Sequence, residues 1–255
     1  MVTGLNIIKE YFKGYDDQYI IIGGTACEIR LEGQGIPFRA TRDIDLIFVI
    51  EVMKNEFLNQ FWKLINDGRY SEKQYNPSER KIFRFQNPQA DGFPLVLELF
   101  TRKPDGIRLP KGFHLTPIPT DEDMSSISAM LLDDDYYNLT ISNCSNQDGL
   151  MVANELALIC LKVKAYLNNK ARKEEGHEVR SDDINKHKKD AIKLITAIPG
   201  DAVMDVTDKI KNDLKHFVDL IQKEKPDVKA IAKDIGQIDI TIDDILLQLN
   251  TVFKL

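Results

Sequence analysis

Asp43 and Asp45 stand in the run Thr41-Arg42-Asp43-Ile44-Asp45-Leu46-Ile47-Phe48-Val49, whose β-branched and apolar character predicts a strand. In a strand, residues i and i+2 point to one face, so the two carboxylates project together. Such a pair suits a hard divalent cation that prefers oxygen ligands, magnesium being the natural choice. Upstream, the apolar run Tyr19-Ile20-Ile21-Ile22 meets Gly23-Gly24 and then the helix-like Thr25-Ala26-Cys27-Glu28-Ile29-Arg30. Two glycines remove side chains where the backbone must approach a ligand, and the helix behind them offers unpaired N–H groups and a positive dipole end to phosphate. The Thr25 hydroxyl can join them. A phosphate cradle followed by a metal pair suits a nucleoside triphosphate and its magnesium ions.

Each half alone is a weak signal. An Asp-x-Asp pair also occurs in glycosyltransferases and on ordinary strand surfaces, and a Gly-Gly-Thr step also serves as a strand-to-helix turn with a threonine N-cap. The succession of the two is what favours the chemical reading. A third acid, Glu98, lies in the apolar run Pro94-Leu95-Val96-Leu97-Glu98-Leu99-Phe100; buried there it needs a metal or an arginine as partner, whereas at a sheet edge it needs neither. His114, His177, His187 and His216 show no metal-ligand spacing, and no Ser-His-Asp arrangement can be drawn, which disfavours triad hydrolysis.

The elements that must position these residues follow from apolar periodicity. Leu5, Ile7, Ile8, Tyr11 and Phe12 predict an opening helix that ends near Gly14, and Glu51 to Gly68 predicts a second, with Trp62 in its core stripe and Gly68 as C-cap. Lys81 to Phe85 and Pro94 to Phe100 read as a hairpin. Further strands are expected around His114 to Pro117 and Tyr136 to Ser142, with Asp133-Asp134-Asp135 as an exposed turn between them. From about Leu150 the texture turns helical, with segments at Asp182 to Ile198, Ala202 to Lys223, Val228 to Ile235 and Ile242 to Phe253, broken at Pro199-Gly200 and Pro226. The expectation is an α+β fold, a mixed sheet with flanking helices over residues 1–148 followed by a C-terminal helical bundle over 149–255.

With 255 residues, 43% hydrophobic and 29% charged, the composition is that of an ordinary globular protein. A net charge of −6 argues against a nonspecific nucleic-acid coat. That charge is segregated: Lys162 to Lys193 holds ten Lys and Arg against six Asp and Glu, a net +4, so the remainder carries −10. Such a basic stretch suits a triphosphate or an RNA acceptor end, and equally a solvated helix face. Cys27, Cys144 and Cys160 form no CxxC pair and read as small buried hydrophobes in a reducing compartment. The N-terminus lacks the apolar core of a secretory signal and no run is long enough to span a membrane, so the expected location is cytoplasmic, with no membrane partner.

Ile22-Gly23-Gly24-Thr25-Ala26 followed by Arg39-Ala40-Thr41-Arg42-Asp43-Ile44-Asp45-Leu46 resembles the nucleotidyltransferase domain of the DNA polymerase beta superfamily, and within it the AbiEii/AbiGii toxin family. The sharp motifs cover about residues 19 to 49. The resemblance implies transfer of an NMP group from an NTP to a hydroxyl, with two Mg2+ ions held by Asp43 and Asp45. Glu98 would be the third carboxylate, serving the metal and taking the proton, although the superfamily more often has aspartate there. Gly23, Gly24, Thr25 and Arg42 would bind the nucleotide. Leu161-Lys162-Val163-Lys164-Ala165-Tyr166-Leu167 and His187-Lys188-Lys189-Asp190 resemble the family's helical segments, which would make Lys164 a neutraliser of triphosphate oxygens and Asp190 a group that orients Lys164 or the nucleotide. The family further implies a tRNA or other RNA acceptor and a separately encoded antitoxin as partners. Two other readings stay open: a small-molecule nucleotidyltransferase, and a nucleotide-binding or protein-interaction module that retains the fold without turnover.

Overall fold

The computed structural model describes residues 2–49, 51–72, 82–100, 133–234 and 240–255. It divides into two compact units. The first gathers the described residues within Met1–Ile29, Arg39–Met124 and Cys144–Ala153. The second gathers those within Arg30–Phe38, Ser125–Asn143 and Asn154–Leu255.

In the first unit, α1 (Leu5–Tyr11) leads into β1 (Tyr19–Ile22), whose four residues are all buried. Helix α2 (Gly23–Glu32) starts directly at the strand's end. Then come β2 (Asp43–Phe48), α3 (Asn55–Gly68), β3 (Ser71–Glu72), β4 (Ile82–Gln86), β5 (Val96–Phe100) and the hairpin β6 (Cys144–Gln147) and β7 (Leu150–Ala153). One mixed sheet runs β3-β4-β5-β2-β1-β7-β6. Strand β2 is antiparallel to β1 and parallel to β5, β1 is parallel to β7, and the outer pairs are antiparallel.

The period-2 alternation of β2 separates two kinds of chemistry. Ile44, Leu46 and Phe48 share one face and are buried, and Phe48 meets Phe57 and Phe61 of α3 with ring centroids 4.9 Å apart in each case. Phe12, Tyr19, Trp62 and Phe85 extend this aromatic cluster. Burying each such ring contributes roughly 1.5–3 kcal/mol, so the cluster fixes which face of β2 meets α3, and Asp43 and Asp45 are left on the other. Trp62 is core, 2% exposed.

The second unit is helical: α4 (Asp134–Ser142), α5 (Glu155–Glu174), α6 (Ser181–Thr196), α7 (Asp208–Glu224), α8 (Lys229–Asp234) and α9 (Ile242–Phe253). Helix α5 is capped by Asn154, whose side chain accepts from the Ala157 N–H, and Arg172 and Lys173 in its last turn complement the dipole. Thr241 and Asp244 close a capping box on α9.

Three expectations need correction. Tyr136 to Ser142 is helix, because Asp133 is an N-cap accepting from the Asp135 N–H and Asp134 and Asp135 favour a first turn. The acidic triplet is thus a helix start. Gly68 is the last helical residue of α3, and Arg69, at φ 49°, takes the left-handed C-cap position assigned to it. The hairpin Cys144–Ala153 groups with the sheet, so the unit boundary there falls after Ala153, because β7 pairs with β1. The strand expected around His114 to Pro117 lies outside the described residues.

Candidate functional site

The ends of three strands meet at one edge of the sheet: the C-terminal end of β1, and the N-terminal ends of β2 and β5. Ile22 is registered with Asp45, Asp45 with Glu98, and Glu98 with Arg84. Directly registered residues share a face, which aligns Arg84, Glu98 and Asp45 across β4, β5 and β2.

Gly23 opens α2 at φ +72°, and a Cβ placed on it would overlap Asp45 Oδ2. The carboxylate therefore occupies the space that any other residue at 23 would fill, and it does so against the first turn of a helix, where negative charge is favoured. Asp45 is 7% exposed, whereas Asp43, two residues back on the same face, is open to solvent. Gly24 faces the segment before β2: a Cβ there would come within 2.7 Å of Thr41 Cγ2 and 3.4 Å of Arg39 Nη2. Arg42 is exposed beside Asp43. Gly23, Gly24, Arg42, Asp43 and Asp45 are thus assembled around one strand-to-helix turn.

Thr25 departs from its expected part. Its side chain is fully buried and its hydroxyl donates to the Asp43 carbonyl at 2.6 Å, 3.2 Å from Thr41 Oγ1. Thr41 in turn donates to buried Glu28 Oε2 at 3.0 Å. The hydroxyl offered for phosphate is used instead to tie α2 to the start of β2, since a buried carbonyl left unbonded would cost more than the turn can tolerate. Glu98 has the arginine partner that its burial demands. Arg84 Nε donates to Glu98 Oε1 at 2.6 Å, and Arg84 Nη2 also contacts that oxygen. The ion pair engages one oxygen, Oε1, of the carboxylate expected to serve a metal and the transferred proton, and the arginine's positive charge offsets repulsion between Glu98 and Asp45.

The donor set fits magnesium in the way that ion is commonly held, by one or two carboxylates completed by substrate phosphates and water. Asp43 and Asp45 would supply those carboxylates. Among the described residues no group of three or more His, Cys, Asp or Glu side chains converges as a protein cage.

In the helical unit the pairing of the basic segment differs from expectation. Asp190 accepts from Lys162 at 2.9 Å, not from Lys164, and both partners are almost fully buried. Lys164 binds Asp213 at 2.8 Å, and Tyr136 donates to the same Asp213 oxygen at 2.8 Å. Residues two apart on a helix lie on opposed faces. Lys162 follows Leu158 by four and precedes Tyr166 by four, which places it in the buried stripe, and that spacing was the available signal for choosing it over Lys164.

No family model matches the sequence, and no curated protein matches it. Among solved structures, the chain is similar to an antigenic nucleotidyltransferase-like protein from Paracoccidioides brasiliensis. The identity is 14%, the match covers 94% of each chain and the TM-score is 0.45. No helix among the described residues is long and apolar enough to cross a membrane.

Proposed function

We propose that the chain is a magnesium-dependent nucleotidyltransferase, moving an NMP group from an NTP to a hydroxyl acceptor. The observation that carries this reading is the contact of the Asp45 carboxylate with Gly23 at the N-terminus of α2, with Asp43 exposed on the same strand face. It supports a polyphosphate lying along the glycine turn with its cations beside the strand.

On this reading Gly23 and Gly24 let Asp45 and Thr41 close on the turn, and the α2 N-terminus favours the negative charge of the phosphates. Arg42 neutralises charge at the exposed rim. Asp43 and Asp45 would hold magnesium, which when bound supplies Lewis-acid charge and lowers the pKa of the acceptor hydroxyl. Thr25 keeps Asp43 at a fixed height relative to α2, so that catalysis rests on positioning and electrostatics. Arg84, paired with Glu98, offsets the charge of the neighbouring carboxylates. The resemblance to the AbiEii/AbiGii toxins extends the reading to an RNA acceptor, tRNA among them, with an antitoxin as partner.

The Arg84–Glu98 pair favours a second reading, a nucleotide-binding module without turnover, because it engages the third carboxylate with an arginine. Incubating the full chain with each labelled NTP, magnesium and total RNA separates the two. Transfer predicts a labelled macromolecule and released pyrophosphate, stopped by chelator and reduced about 100-fold or more in Asp43→Asn and Asp45→Asn, with thermal unfolding little changed. Nucleotide binding without pyrophosphate would establish the module instead. Undiminished transfer in both variants would remove the pair from the mechanism.

A further inference from the structure

The helical unit holds a cleft of about 370 Å3 whose lining includes Tyr166, Lys170, Lys173, Ser181, Lys188 and Glu224. Its size falls within the usual range for small-ligand sites. Glu224 organises the wall. Its carboxylate accepts from Tyr166 Oη at 2.7 Å, Lys188 at 2.7 Å and Lys170 at 3.2 Å, which holds two ammonium groups side by side. Lys188 also lies 5.8 Å from the Tyr166 ring centroid. One carboxylate cannot cancel two ammoniums, and Glu174 at the rim reaches Lys170 only at 3.9 Å.

Lys173 adds a further positive charge. It donates to the neutral Ser181 hydroxyl at 2.6 Å, and no carboxylate among the described residues pairs with it. Asp183, the nearby acid of the α6 first turn, is engaged by Lys186 at 2.9 Å. Three ammoniums therefore line one concavity against two carboxylates, the well-bonded Glu224 and the loosely paired Glu174, over an apolar floor of Ile184 and Tyr166.

We infer that this cleft is a binding site for a phosphate-bearing ligand of nucleotide size, with Lys170, Lys173 and Lys188 as its cationic wall. Lysine suits this task as a compact, rotatable donor that meets phosphate as a point charge. The phosphate oxygens would accept hydrogen bonds from the ammonium N–H groups that Glu224 and Ser181 leave unused, and the sugar or base would lie on the apolar floor. The site lies wholly within the helical unit and does not depend on the transfer reaction proposed for the sheet.

The test uses the full chain carrying both Asp43→Asn and Asp45→Asn, which weakens the proposed triphosphate site. Binding of inorganic phosphate, AMP and a short single-stranded oligoribonucleotide with a 5′-phosphate is measured by calorimetry at low salt. Binding of phosphate and AMP alone identifies a free nucleotide as the source, and tighter binding of the oligonucleotide identifies an RNA end; either supports the site. Lys173→Glu, at an exposed side chain that no carboxylate among the described residues holds, should weaken binding about tenfold or more and flatten its salt dependence. Glu224→Gln, by removing the competing charge, should tighten it several-fold. Absence of binding by all three probes, or affinity indifferent to Lys173→Glu, overturns the inference. Failure here leaves the labelled-NTP result untouched, and loss of transfer leaves this binding untouched.

Discussion

Gly23 is the position at which the least change has the most consequence. Its φ of +72° is one that L-residues reach at a cost of about 1–2 kcal/mol, and its missing Cβ is the space occupied by Asp45 Oδ2. Gly23→Ala should therefore act twice, lowering stability by about that amount or more in urea unfolding and displacing the carboxylate. A loss of magnesium-dependent NTP affinity larger than the loss of stability would show that the carboxylate had moved. Normal affinity in a stable Gly23→Ala protein would mean that Asp45 has other room. Gly24 meets Thr41 at 2.7 Å and obeys the same steric logic with a methyl group as the obstacle.

Helix α2 and strand β2 are joined by a short polar chain, Glu28 to Thr41 and Thr25 to the Asp43 carbonyl. Thr25→Val keeps the shape and removes the donor, which should cost about 1–3 kcal/mol for a buried carbonyl left unbonded. KM for NTP should rise as the turn loosens, while Thr25→Ser restores both values. Equal behaviour of the valine and serine variants would sink this positioning role. In the other unit, α5 and α6 are joined by the buried Lys162–Asp190 pair. Asp190→Ala removes the carboxylate paired with a buried ammonium and should destabilise the chain by about 3–5 kcal/mol, read from the midpoint of denaturant unfolding. Pairing that change with Lys162→Met should recover much of the loss; if the double variant is no better than the single one, the pair is not what holds the helices there.

For the chain as a whole, the ionisable groups that are fixed by folding set a two-sided pH dependence. Burial works to raise the Glu224 carboxyl, but hydrogen bonds from Lys188, Tyr166 and Lys170 outweigh it and hold the group below its ordinary value. Asp133 follows the same pattern, with burial outweighed by Lys209 and by the Asp135 N–H. A carboxylate whose folded pKa is depressed contributes stability that is present above the unfolded value, near 4, and lost as pH falls through the folded one. Tyr136 is shifted upward, first by burial and then by Asp213, and burial pushes Tyr19 up to about 12. These tyrosines contribute stability that is complete below their unfolded value, about 10, and is lost as pH rises toward the folded one. The melting temperature should therefore be level between these limits and fall on both sides, and Glu224→Gln should shallow the acid limb. An unchanged acid limb in that variant would mean that Glu224 titrates as it does in the unfolded chain.

The sequence alone determined the elements around the turn, because apolar β1, the paired glycines and the alternation of β2 are local signals that leave few backbone choices. It also placed Trp62 in the core and Asp43 with Asp45 on one face. The Asp133 cap was just as local, yet turn chemistry and cap chemistry use the same residues, so the acidic triplet read either way. What the letters could not hold was which partner each buried charge would find. Arg84 for Glu98, Lys162 for Asp190 and Asp213 for Lys164 are settled by strand register and by contact between helices distant in the chain. A desolvated charge must have an opposite one within a few ångströms, and only the folded chain fixes which one is near enough.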